Sequence, residues 1–321
     1  MSSSAEGAPA GARMPRRRHS VADFLVRLFK EHRLGAGAGL VVVGLIFVTL
    51  FAEQLAPYEF DRGRVQDRMQ GPSAEHLLGT DHAGRDFLSR LIIGARLSLT
   101  VGLAATSINV LIALLIGGTT GFIGGRLDIV TQRLVDAWMS FPGLLLLLTI
   151  MSIAGRGVTQ IIVVLGVAGG IPASRIVRGA VIGVKENAYF QAAQAIGTST
   201  GGTLLRHVLP NIAAPVLIVY SINVGNVIIS EASLSFLGFG LPANIPSWGG
   251  MLSREGRQYM EIAPRLALWP GICLTVTVYC LNMFGDAVRD LLDPRLRGQM
   301  GRFGVATRGS DRRGLRAPRP G

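Results

Sequence analysis

An all-α, polytopic membrane fold with six transmembrane helices is what this sequence predicts, and three observations predict it. Six long stretches carry no charge. Charged residues make up only 16% of the 321, against about 25% in a typical globular domain, and the mean hydropathy is +0.42. The basic residues that give a net charge of +12 lie in the tails and between the uncharged stretches. One soluble basic face would point to nucleic acid; this dispersal does not, and no nucleic-acid partner is expected.

A helix needs about 20 apolar residues to cross the hydrocarbon. Residues 34–52, 97–125, 137–155, 157–174, 208–230 and 266–285 each meet that need. In lipid the backbone must satisfy its own hydrogen bonds, so these stretches are predicted as helices. The first is expected to stay as a span, because its core exceeds a usual signal-peptide h-region and no small-x-small site follows.

The expected organisation has five parts. Residues 1–33 form an inner tail ending in a surface helix, where Phe24, Leu25, Leu28 and Phe29 alternate with Arg27, Lys30 and Arg33 and suit the interface of membrane lipid. Residues 34–56 hold the first transmembrane helix, and 57–96 an outer loop. Residues 97–296 form a five-helix core with an inner segment at 184–211, and 297–321 form a Gly/Arg-rich inner tail. With both termini inside, 22 Lys and Arg fall on the inner side and 10 on the outer, the bias expected of cytoplasmic segments. Cys273 and Cys280 sit seven residues apart on one helix, roughly 10 Å along its axis, too far for a mutual disulfide.

The outer loop carries Leu78-Gly79-Thr80-Asp81-His82-Ala83-Gly84-Arg85-Asp86-Phe87-Leu88-Ser89-Arg90. Thr80, Asp81 and Asp86 are helix N-cap candidates, and Arg85 and Arg90 are placed to pair with the two aspartates. His76, Asp81 and His82 can be drawn as a metal site but lack a fourth ligand, so no metal is expected. The prolines and glycines of 240–251 forbid one continuous helix there. Gly117, Gly121 and Gly125, and Gly166 and Gly170, have the GxxxG spacing of closely packed membrane helices; a hinge at Gly169-Gly170-Ile171-Pro172 is the competing use.

Catalytic motifs are missing or out of context. No GxxxxGK[ST] phosphate loop occurs, so ATP cannot be bound in that way. Gly197-Thr198-Ser199-Thr200-Gly201 spells a nucleophile elbow, but that elbow needs a preceding strand, and here the preceding residues favour helix. An enzyme is not expected.

The segment 184–211 is the most informative. Glu186 to Ile196 reads as a helix, Gly197 stands where a left-handed stop is wanted, and Ser199 or Thr200 can cap a second short helix that runs through His207 to Pro210. Such a knob with small alanines on its tip fits a groove on a partner. It resembles the EAA loop of binding-protein-dependent ATP-driven importers, which joins each permease to its ATPase. The family pattern is Glu-Ala-Ala, three residues, Gly, nine residues, then Ile-x-Leu-Pro. Gln191-Ala192-Ala193, Gly197 and His207-Val208-Leu209-Pro210 stand at that spacing, with Gln191 in place of the acidic residue and His207 in place of isoleucine.

The outer motif, with Gly94-Ala95-Arg96-Leu97-Ser98-Leu99, Ser230 to Gly238 and Asp293-Pro294-Arg295, resembles the oligopeptide, dipeptide and nickel importer permeases, and within them the second permease of each pair. The likeness runs over residues 25–297. It implies a pseudo-symmetric heterodimer with a sister permease, two ATP-binding subunits below and an extracytoplasmic substrate-binding protein outside. It implies no cofactor on this chain, since ATP is bound by the partner subunits. Gln191, Ala192, Ala193, Gly197, His207, Leu209 and Pro210 are the implied ATPase-coupling residues. The implied cargo is a di- or oligopeptide, with nickel as the alternative.

Asp136, Glu231 and Asp286 lie in or near spans, where an ionised group costs about 2.5–3.5 kcal/mol at the centre. They are expected to face protein or a water-filled path. Glu231, with Ser235 one turn on, is the deepest; a place in that path and a structural hydrogen-bonding role are the two readings. A proton-coupled secondary transporter would use such a group as a relay. The ATPase-docking knob favours the importer.

Overall fold

The computed structural model describes residues 21–186, 202, 208–242 and 244–292. Its helices, in chain order, are α1 (Val21–Glu31), α2 (Arg33–Leu50), α3 (Ala52–Leu55), α4 (Phe87–Ile123), α5 (Gly125–Met139), α6 (Gly143–Ala154), α7 (Val158–Lys185), α8 (Leu209–Phe236), α9 (Trp248–Met251) and α10 (Arg265–Leu292). A π-helical turn, Leu252–Gly256, extends α9. No strand occurs among the described residues; two isolated bridges tie Gly63 to Arg85 and Thr80 to Asp86.

Helices α2, α4, α7, α8 and α10 are each long and apolar enough to cross a membrane. Helices α5 and α6 meet that test only together, across a bend of 89°. Counted as one broken span, they complete the six. The sequence reading of 137–155 as one straight helix is corrected here. Pro142 has no N–H to give and pushes Phe141 away from helical backbone, so the chain turns at Ser140–Pro142 and restarts at Gly143. The connection from α4 into α5 is equally sharp: Gly124 and Gly125 have φ of +71° and +64°, a region that disfavours residues with a Cβ.

At one end of the bundle, the loop end, residues 56–86 and 237–264 gather. At the other, the tail end, α4 hands over to α5, α7 finishes and α8 begins. Helix α4 is roughly 55 Å long at 1.5 Å per residue, well beyond the hydrocarbon thickness of about 30 Å. Its first ten residues, assigned above to the outer loop, are therefore helical and stand in the loop-end layer. Asp86 starts it: Ser89 N–H donates to Asp86 Oδ2 at 2.8 Å, and Phe87 behind it is fully buried.

Helix α4 packs most extensively on α7, through glycines used reciprocally. A Cβ on Gly117 would lie 2.1 Å from the Ser174 carbonyl oxygen of α7, and one on Gly121 would lie 3.0 Å from the Arg178 carbonyl oxygen. From the other side, a Cβ on Gly166 would lie 2.6 Å from Ile108 Cβ, and one on Gly170 would lie 2.8 Å from the Asn109 carbonyl oxygen. Small residues let two backbones approach, which drives helix association in lipid. Close packing thus explains these four positions. Many large apolar side chains on the outside, such as Leu40, Leu111, Leu145, Ile153 and Tyr279, are exposed in the single chain. They suit lipid or a neighbouring helix.

Candidate functional site

Three polar regions lie along the bundle, beginning at the tail end. Gln191, Ala192, Ala193, Gly197 and His207 lie outside the described residues, which resume at the helix ends on either side. Lys185, in the last turn of α7, donates through Nζ to the Phe122 carbonyl oxygen at 2.7 Å. This satisfies a carbonyl that the end of α4 leaves open. Val181 of α7 and Val208 share one buried cluster with Ile212. Leu209, half-buried, and Pro210, exposed, open α8, where a proline costs nothing because the first N–H groups of a helix lack partners anyway. The end of α7 and the start of α8 therefore lie side by side at the tail end.

Two ion pairs brace that end. Arg178 donates from Nε and Nη2 to the two oxygens of Asp128, each at 2.6 Å, a bidentate fork of the strong kind. Arg175 pairs with Asp136. Both pairs join α7 to α5, so Asp136 faces protein as expected of a charge near a span. Asp286 is exposed on the single chain near the end of α10.

Between the two ends, at the elbow of α5 and α6, lies a cavity of 330 Å³ walled also by α4, α7 and α8. Its polar lining is Asn109, Asn223, Asn226 and Ser230, and Met139, Phe141 and Leu165 are among its apolar walls. Pro172 explains how it is built. Proline cannot donate to the carbonyl four residues back, which frees the Ala168 oxygen inside the membrane. Trp138 Nε1 donates to that oxygen at 3.3 Å, pinning α5 to α7. Beside it, a Cβ on Gly169 would lie 2.4 Å from Asn109 Nδ2; the missing side chain makes room for the amide.

Glu231 and Ser235 are not among the residues that line this cavity. Both are buried, and Ser235 Oγ donates to Glu231 Oε1 at 2.8 Å within α8. The asparagines are not legible from charge, since a neutral amide leaves an apolar span uncharged. The usable signal was the spacing of Asn223, Asn226 and Ser230, which puts three polar groups on one face of a span.

The loop end holds a buried charge network. Arg85 Nε donates to Asp81 Oδ2 at 2.7 Å, and Arg90 Nε lies 3.3 Å from the same oxygen. Each arginine also reaches Glu255 Oε1 at 3.1 Å through Nη2. Arg90 is 1% exposed, Asp81 0% and Glu255 2%. The expected pairing of these arginines with both aspartates is corrected: they take Asp81 and Glu255, while Asp86 caps α4 and lies 2.9 Å from His76 Nδ1. Burial pushes the Glu255 carboxyl above the ordinary glutamate value; Arg90 and Arg85 pull the other way, and Asp81 adds to the rise.

Trp248 is buried in an apolar cluster with Phe87 and Leu91, donating from Nε1 to the Leu91 carbonyl oxygen at 3.0 Å. Asp81, His82 and Glu255 bring ligand atoms within 4.8 Å of one another. Two guanidinium groups already hold both carboxylates, and their charge opposes a cation there. A basin of 780 Å³ opens over this network, lined by His82, Arg254 and Arg257 among others.

The described residues thus form a bundle of five unbroken spans and one broken one. Residues 109–298 match the family of binding-protein-dependent transport system inner membrane components. The chain is 36% identical over 277 residues to the glutathione transport system permease protein GsiD of Pectobacterium atrosepticum, covering 86% of this chain and 91% of that one. It is 37% identical over 274 residues to GsiD of Escherichia coli O1:K1, covering 85% and 90%. In fold it is similar to a chain of the MetNI methionine ABC transporter seen in inward-facing conformations, with a TM-score of 0.52, 18% identity, and coverage of 64% of this chain and 96% of that one.

The chain therefore belongs to the binding-protein-dependent transport system inner membrane component family. It is a multi-pass inner-membrane permease of an ABC importer of the peptide and nickel group, and not an enzyme.

Proposed function

We propose that this chain forms half of a translocation path for small peptides, beside a sister permease, and that ATP is bound and hydrolysed by two partner subunits docked at its tail end. One observation carries the choice of cargo. The chain is 36–37% identical, along most of its length, to permeases named for glutathione transport, and glutathione is a tripeptide. The cavity favours the same choice over nickel. No His, Cys, Asp or Glu is among its lining residues, and a nickel path would offer such donors.

In this reading the tail end and both termini face the cytoplasm, and the loop end faces the substrate-binding protein. Gln191, Ala192, Ala193, Gly197, His207, Leu209 and Pro210 make up the knob and its root. Closure of the ATPases on nucleotide moves the knob as a rigid body. Its two roots, at the end of α7 and the start of α8, carry that movement to the walls of the cavity, and hydrolysis resets the pair. Glu231 and Ser235 brace α8 beside the path. A proton-driven carrier would need a titratable group in the path, and the cavity lining offers none.

The test is uptake into vesicles holding this chain, its sister permease and both ATPases, with the binding protein added. Di- or tripeptide uptake should require ATP and the binding protein, and this chain alone should neither hydrolyse ATP nor transport. Proton-driven uptake by this chain alone, or nickel uptake without peptide uptake, overturns the proposal. Sidedness is tested by thiol labelling in intact cells: a cysteine at Ser73 should react from outside and one at Ser199 only from inside.

A further inference from the structure

Resting on the reading of this chain as a peptide permease, we propose that the cavity at the α5–α6 elbow is a hydrogen-bonding subsite for the solute's peptide-bond amides, presented by Asn109, Asn223 and Asn226. Asn109 is 1% exposed, lines the cavity, and its Oδ1 has no hydrogen-bond partner in the protein. A buried acceptor left without a donor is costly, and more so in hydrocarbon, where lipid supplies none. A solute N–H entering the cavity satisfies it.

The opposite wall comes from α8. Asn223 and Asn226 stand three residues apart, with Ser230 one turn further, all lining the cavity. Positions at this spacing share a helix face. The Ser230 hydroxyl is turned to its own helix, donating to the Asn226 carbonyl oxygen at 2.8 Å. The two asparagine amides, half-buried and exposed, make no hydrogen bond among the described residues and remain for the solute. Each offers one acceptor and two donors, which complement the N–H and C=O of a peptide bond.

Charge decides the ligand class. No ionisable side chain lines the cavity. A fixed charge at low dielectric would hold a solute of opposite charge strongly, whereas passage needs contacts weak enough to leave. Neutral amides meet that need and exchange hydrogen bonds with a peptide backbone of any sequence. The apolar walls formed by Met139, Phe141 and Leu165 accept side chains without selecting among them. The 330 Å³ volume lies at the lower end of the range for small-molecule sites, about 300–1,000 Å³, enough for part of a short peptide at a time.

The experiment uses the complete transporter in vesicles, with a tripeptide as probe and two readings: peptide moved per ATP hydrolysed, and stimulation of ATP hydrolysis by the loaded binding protein. Asn226 is exposed, so Asn226→Leu leaves the fold intact where Asn109→Ala endangers it. In Asn226→Leu the peptide-to-ATP ratio should fall about three- to tenfold, the loss of one neutral hydrogen bond, with stimulation unchanged. Asn226→Gln, which keeps the amide, should restore most of it.

A parental ratio in the Asn223→Leu, Asn226→Leu double variant overturns the subsite while leaving the peptide reading intact. Loss of stimulation together with transport also overturns it, because that is the mark of a structural role. A parental transporter that hydrolyses ATP yet moves no peptide overturns the function reading itself, and the subsite with it.

Discussion

At the loop end, Asp81, Arg85, Arg90 and Glu255 bring four formal charges together, and three of the four side chains are almost wholly buried. Around the elbow, Asn109, Asn223, Asn226 and Ser230 face a cavity with no formal charge in its lining. The first region spends its polar groups on one another. Each arginine reaches both carboxylates, which locks residues far apart in the chain. The second leaves amide groups open and is held by shape instead: reciprocal glycines between α4 and α7, and an indole bound to the carbonyl that Pro172 frees. In the proposed path the first would serve as a fixed entrance and the second as a wall that can move and let solute pass.

The largest stability effect is expected where charge is buried. Arg90→Ala leaves Asp81 and Glu255 with one guanidinium between them. Removing one partner of a buried pair typically costs about 3–5 kcal/mol, so the variant should unfold at markedly lower temperature in detergent and accumulate poorly in the membrane. Near-parental melting would mean that the loop end is not the locked region.

A smaller effect separates two adjacent glycines. Gly117→Ala places a Cβ 2.1 Å from the Ser174 carbonyl oxygen and should cost about 1–3 kcal/mol by overpacking. Gly118→Ala meets nothing within 4 Å and should be neutral or slightly stabilising, since alanine favours helix over glycine. Equal melting of the two variants would remove shape as the device that holds α4 to α7.

Next is the indole pin. Trp138→Phe should destabilise by about 1–3 kcal/mol, because it orphans the Ala168 carbonyl. Pro172→Ala restores a helix donor to that oxygen, so in its presence Trp138→Phe should cost clearly less, and a double-mutant cycle measures the difference. Additive effects would mean that the tryptophan does not compensate for the proline.

The smallest effect is the pH dependence at the loop end. Glu255 titrates above its ordinary value of 4.5 when folded, so between the unfolded and folded values the native state binds more protons. Stability must then fall as pH rises through that window. Melting temperature should show this slope in the parental chain and a weaker one in Glu255→Gln. An unchanged slope in the variant would assign the titration to another group.

The spans were legible because hydrocarbon demands long uncharged runs, and residues 34–52, 208–230 and 266–285 satisfy it plainly. The reading of a short helix ending at Pro210 is corrected: Leu209 and Pro210 instead open α8, where a proline is tolerated because the first N–H groups lack partners. The elbow was not legible, because the 137–155 window is uncharged whether straight or bent; only Ser140-Phe141-Pro142-Gly143 hinted at the turn, while Pro172 and Pro215 sit inside unbroken helices. Glu255 was missed as the partner of Arg85 and Arg90 because 170 and 165 residues separate them. Asn109 was not legible because a neutral amide does not interrupt an uncharged run.

The central claim is that this permease is driven through the segment 184–211, and Ala193→Trp in the assembled transporter tests it most directly. Ala193 is assigned to the tip of the knob, where a bulky ring should not fit its groove. The variant should insert at normal levels and lose peptide uptake, while ATP hydrolysis becomes independent of the loaded binding protein. Gln191→Glu, which restores the acidic residue of the general pattern, should transport nearly as the parent does. Normal uptake by Ala193→Trp, still governed by the binding protein, would contradict the account.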